Sequence, residues 1–88
     1  MKAMMERKMV KLAKQFPDVW FKDGGDFSTN HNNTIWTGEG SDIDGQSAFC
    51  SYGYHNTMGV HPMMQEALDK YDLWAEFYDG GTVFIYER

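Results

Sequence analysis

The apolar positions of this chain switch between a helical and a strand period. Met5, Met9, Leu12 and Phe16 recur at i, i+4, i+7 and i+11, a single stripe that predicts a helix over residues 1–16. Pro17 ends it, because the residue before a proline is pushed out of the helical region. Residues 18–21 (DVWF) read as a short strand, and KDGGDFSTNHNN after them as a turn-rich connection. The β-branched and aromatic run TIWT, residues 34–37, predicts a second strand. Residues 47–54 (SAFCSYGY) alternate, with Ala48, Cys50 and Tyr52 on one face and Phe49 and Tyr54 on the other, and predict a third. Pro62 suits the first position of a second helix over 62–71, with His61 or a neighbour as its cap. Met64, Leu68 and Tyr71 form its stripe, helped by Met63 and Ala67.

The strongest pattern is C-terminal. DLWAEFYDGGTVFIYE predicts a β-hairpin over 73–87 around the loop Asp79-Gly80-Gly81, with one glycine left-handed and Tyr78 paired with Thr82. In that register Phe77 faces Val83 and Ala75 faces Ile85 on one side. Trp74 faces Tyr86 and Glu76 faces Phe84 on the other. Both faces are substantially apolar, so both need cover. Two helices can supply one; the other needs a loop, a ligand or another chain. The expected fold is α+β: a mostly antiparallel sheet of about five strands with two helices, in the order α-β-β-β-α-β-β, as one domain over 1–88.

Composition narrows the class. At 88 residues, 42% hydrophobic and 16% aromatic, the chain can build a packed core and is too apolar for disorder. Its one cysteine, Cys50, excludes an internal disulfide. No apolar run approaches the roughly 18 residues of a membrane span. The charged N-terminus lacks the apolar centre of a signal peptide, so the expected location is the cytosol. Residues 1–22 hold six Lys/Arg and two acids, net +4, whereas 23–88 hold two and eleven, net −9; together they give −5. That acidic body repels phosphate backbones and anionic lipids, which argues against nucleic acid and membrane as partners. Arg7, Lys11 and Lys14 form a basic helix face with no interleaved aromatic, the pattern of a solvated face.

Most catalytic and metal chemistries fail on spacing. In WTGEGSDIDGQSAF, residues 36–49, Asp42-x-Asp44-Gly45 resembles the middle of a calcium loop. Aligned on Gly45, however, position 1 is Gly40 and position 12 is Ser51, where carboxylates are required. As a phosphate cradle, Gly38-Glu39-Gly40-Ser41 lacks a following lysine and carries repelling acids. His31, His55, His61 and Cys50 lack the compact ligand pairs of a zinc site. Cys50 with His55 or His61 could form a thiolate pair, but a cysteine in an alternating segment is ordinarily buried and inert. No enzyme activity, metal or cofactor is expected. The stretch reads instead as strand, glycine turn and strand, with Glu39, Asp42 and Asp44 as a rim. The surplus of aromatics points to binding, with Trp74, Glu76, Tyr78, Phe84, Tyr86 and Trp36 as the contact residues.

Three segments, IWTGEGSDIDGQSAF, GVHP and AEFYDGGTVFIY, spanning residues 34–86, resemble small accessory proteins of tailed bacteriophages. The resemblance carries over no catalytic or binding residue. It implies a short cytosolic protein that binds a host macromolecule, as inhibitors of host defence do. The expectation is therefore a non-enzymatic binder of a host protein. Two other readings stand beside it: a sponge for a nucleotide signal, with rings on the base and the basic helix near its phosphates across a homodimer, and a homo-oligomeric virion component.

Overall fold

A computed structural model describes all of residues 1–88. The α+β class holds, with two helices on an antiparallel sheet and a small separate ribbon. Helix α1 spans Ala3–Gln15 and helix α2 Pro62–Lys70. The main sheet has β1 (Lys22–Asp23), β2 (Ile35–Gly38), β5 (Leu73–Asp79) and β6 (Thr82–Glu87), in the spatial order β1-β2-β6-β5. Strands β3 (Asp42–Ile43) and β4 (Gln46–Ser47) form a two-stranded ribbon joined by Asp44-Gly45. Both turn residues have positive φ, 50° and 79°, the backbone that an Asp-Gly hairpin turn demands.

The helical stripe packs as its period requires. Met5 and Leu12 from the first helix, with its C-cap Phe16, join Met64, Ala67 and Leu68 from the second. They meet Ile35, Leu73, Val83 and Ile85 from one face of the sheet in a single core. Met63, expected to help the second stripe, is exposed, and Tyr71 falls just past the helix as its C-cap. His61 caps α2: its Nδ1 accepts from the Met63 N–H at 3.1 Å, and its Nε2 lies 3.0 Å from Gln46.

Two predicted strands are not there. Residues 18–19 turn after Pro17, and pairing starts only at Lys22. The Asp18 carbonyl accepts from the Asp42 N–H, and the Trp20 indole donates to the Glu39 carbonyl at 2.8 Å, so this stretch is tied to the ribbon. Residues 47–54 leave the ribbon after Ser47, make one isolated bridge, Phe49 to Val60, and then turn. Ala48 and Phe49 are both buried while Tyr52 is exposed, so the alternation does not follow one sheet. The hairpin register is as expected from Trp74↔Tyr86 to Phe77↔Val83. At its tip, Asp79 rather than Tyr78 pairs with Thr82, so Tyr78 is bulged and the loop is Gly80-Gly81. Neither glycine is left-handed. The tip is shaped instead by Gly38 on β2, where a side chain would strike the Gly81 carbonyl.

Candidate binding face

Since Ile35, Val83, Ile85, Leu73, Ala75 and Phe77 turn toward the helices, their neighbours turn away. Antiparallel register then sets Lys22, Trp36, Phe84 and Glu76 in one row across all four strands. Tyr86 and Trp74 form the next row, stacked at 4.7 Å with their planes 24° apart. This outer face carries the six residues expected from sequence, but not on equal terms.

Phe84 is only 1% exposed although it lies outside the main core. Its cover is the connection between β1 and β2, which folds over it as two short 3-10 turns, Gly24–Asp26 and Thr29–His31. The His31 ring stacks flat on Phe84 at 3.8 Å and 10°, and Phe27 meets it edge-on at 5.1 Å. Phe27 also touches Trp36 at 5.2 Å and Tyr78 at 5.3 Å. Asp23 and Ser28 cap the two turns by accepting from Gly25 and Asn30 N–H groups. Gly24 is buried against the His31 carbonyl and Thr34, with no room for a side chain. Phe84 is therefore a second, smaller core and is not available to a partner, contrary to its expected role as a contact residue. Phe27 and His31 are the residues that sequence reading missed. The one available signal was Phe27 itself, the lone large apolar residue in an otherwise polar connection.

What the cover leaves open is the rest of the face. Trp74 is 38% exposed, Tyr78 59% and Phe27 37%, while Trp36 and Tyr86 are half-buried. The Lys22 ammonium sits 5.2 Å from the Trp36 ring and 5.4 Å from Trp20, which packs edge-on against Trp36. Glu76 is exposed between Trp74 and Tyr78 and makes no hydrogen bond or ion pair. Burial, and then the charge of Glu76, hold the Tyr86 phenol above its ordinary value of 10.0.

The expected rim is divided. Glu39 reaches the hairpin tip, against Gly81. Asp42 and Asp44 instead line a cleft of 110 Å³ with Gln15, Phe16, Pro17 and Met63, beside the helices and away from the aromatic rows. A larger cleft of 360 Å³ follows the glycine stretch and is lined by Glu39, Ser41, Ser47, Cys50, Ser51 and Tyr52 among others. It has no basic side chain to answer a phosphate. Arg7, Lys11 and Lys14 are exposed on α1, across the sheet from the aromatic face. A single chain thus does not bring base-stacking rings and that basic face together.

No protein family matches the chain, and no curated protein or solved structure is significantly similar to it. Fold and face define it as a small α+β domain with helices on one side of its sheet and an aromatic surface on the other. No helix is long and apolar enough to cross a membrane.

Proposed function

We propose that this chain is a non-enzymatic binding protein, phage-encoded, that blocks or modulates a defence-related host protein through the outer face of its sheet. One observation carries the reading. Trp74 and Tyr78 stand exposed on a sheet face that no helix covers, and Phe27 extends the surface to Trp36. Trp and Tyr dominate the energetics of protein interfaces because they bury much area at little entropic cost. Phe84 supports this surface from below rather than touching the partner.

Affinity capture from host lysate tests the reading, with wild type, Trp74→Ala and Met4→Ala as baits. Met4 is as exposed as Tyr78 but lies on α1. A partner retained by wild type and Met4→Ala and lost by Trp74→Ala is the expected result. Equal retention by all three removes the face as the contact surface.

A further inference from the structure

We infer that the surface around Glu76 is a binding site for the guanidinium of an arginine, carried on an extended segment of a partner protein. The inference rests on the outer face being the contact surface and adds what the partner must bring to it.

The reasoning starts from an unpaired charge. Glu76 lies at the middle of β5 with Trp74 and Tyr78 on either side along the strand, Phe84 across from it and Tyr86 on the diagonal. Each of the cations near the sheet is engaged elsewhere: Lys8 with Glu87, Arg88 with Asp69, and Lys22 over Trp20 and Trp36. In the free protein water solvates the Glu76 carboxylate. A partner that covers Trp74 and Tyr78 strips that water away. A carboxylate buried without a counter-charge opposes binding strongly, so a partner that fits must bring a cation.

Two features select arginine over lysine. The Trp74 indole, stacked on Tyr86 through one face and still 38% exposed, offers aromatic surface along the strand from the carboxylate. A planar guanidinium can lie on such a surface while its N–H fork pairs with the carboxylate, whereas an ammonium can only approach as a point charge. An extended carrier is favoured because β5 is an edge strand, with a row of backbone groups that has no strand partner. Beside it runs a cleft of 320 Å³ between Trp74, Ala75 and the stretch holding Thr57, Met58 and Val60. The net charge of −9 over residues 23–88 draws a basic segment toward the body of the protein. A second copy is the poorer source of the cation. Its basic helix face and its aromatic face lie on opposite sides of the sheet, so a reciprocal two-fold pair cannot satisfy both.

Fluorescence anisotropy with a labelled nine-residue peptide containing three arginines tests the site, alongside its citrulline and lysine counterparts. The protein variants are Glu76→Gln, isosteric at an exposed strand position, and Asp44→Asn, which removes one charge from the distant ribbon. Expected are weakening of about three- to tenfold by Glu76→Gln, less than about twofold by Asp44→Asn, and weaker binding of both counterpart peptides than of the arginine peptide. Equal effects of the two variants, equal binding of citrulline, or sizing that shows the protein assembling with itself through this face would each overturn the inference. If the peptide fails to bind while Trp74→Ala still releases a host partner, the arginine site alone is wrong. If Trp74→Ala releases nothing, the contact surface itself is wrong.

Discussion

Truncating Phe84 tests whether the loop over the outer face is a packed layer or a loose cover. The ring is 1% exposed, enclosed by His31 at 3.8 Å, Phe27 at 5.1 Å and Tyr78 at 5.7 Å. Phe→Ala at a fully enclosed site costs about 3–5 kcal/mol. One wall here is a loop that can settle into the space, so the lower end, about 3 kcal/mol, is expected. Phe27 is 37% exposed, and its loss should cost about 1–2 kcal/mol from the area it does bury. The pair should be coupled by about 0.5–1.5 kcal/mol, as edge-to-face aromatic neighbours are. A domain this small has roughly 3–5 kcal/mol to lose, so Phe84→Leu, at under about 1.5 kcal/mol, keeps the measurement within range. Urea unfolding followed by far-ultraviolet circular dichroism on the Phe27→Ala, Phe84→Leu and double variants gives the cycle, with Phe84→Ala as the limiting case. A loss below about 1 kcal/mol for Phe84→Ala would refute the second core. So would additivity within about 0.3 kcal/mol for the pair.

Three further outcomes follow from other parts of the fold. Gly59→Ala, at φ 90° with a new methyl 2.8 Å from the Phe77 ring and 2.9 Å from the Cys50 carbonyl, should lower stability by about 2 kcal/mol or more; Gly45→Ala, at φ 79° in open space, should lose only about 1. Thermal melts of the two separate clash from backbone cost, and equal shifts would contradict the close approach at Gly59. His61→Ala removes the α2 cap and the contact with Gln46 and should cost about 1 kcal/mol in urea unfolding, whereas no loss would mean that the cap is not formed. In a spectrophotometric titration near 295 nm, the Tyr86 phenol should ionise above 10.0 because of its burial and move part of the way back in Glu76→Gln, which removes the smaller of the two causes. Because the folded state holds this proton more tightly than the unfolded state, Tyr86 contributes stability that is fully present below pH 10.0 and declines as pH rises above it; Tyr86→Phe should flatten that decline.

Where one physical signal dominated, the sequence was legible. The Met5, Leu12 and Phe16 stripe has one apolar face and one place to put it. The hairpin register expected from a three-residue loop at its tip holds from Trp74↔Tyr86 to Phe77↔Val83 because the shorter Gly80-Gly81 loop is offset by the bulge at Tyr78. The tip itself was not legible, because Asp-Gly-Gly is compatible with several loops and the choice depends on how closely Gly38 can approach Gly81. Residues 47–54 alternate like a strand, but Tyr54 takes left-handed backbone at φ 53°, and its hydroxyl donates to the Ser47 carbonyl, folding the segment back on itself. Tertiary contact decides that, and no local period reports it. The site was half legible for a related reason. Period 2 placed Trp74, Glu76, Phe84 and Tyr86 on one face of the hairpin, and Trp36 joins them through its pairing with Phe84, which no local period reports. Nothing local showed that a polar connection would lay Phe27 and His31 over Phe84.

The order β1-β2-β6-β5 has a consequence for how the molecule comes into being. Strand β6, one of the two inner strands, is made after the other three. Ile35 meets Ile85 across a gap of about 50 residues, and Trp36 meets Phe84. As the chain leaves the ribosome, β2 has only the two-residue strand β1 to pair with, and the loop destined to cover Phe84 waits for that ring, until residues 82–87 have emerged. Helix α1 can form early from local contacts, but the core that its Met5 and Leu12 join is completed only by Val83 and Ile85 of β6. Closing so wide a loop costs entropy before it returns any burial, so the sheet should assemble late and in one step. During synthesis, then, the apolar side of α1 has an incomplete core to pack against until β6 adds Val83 and Ile85.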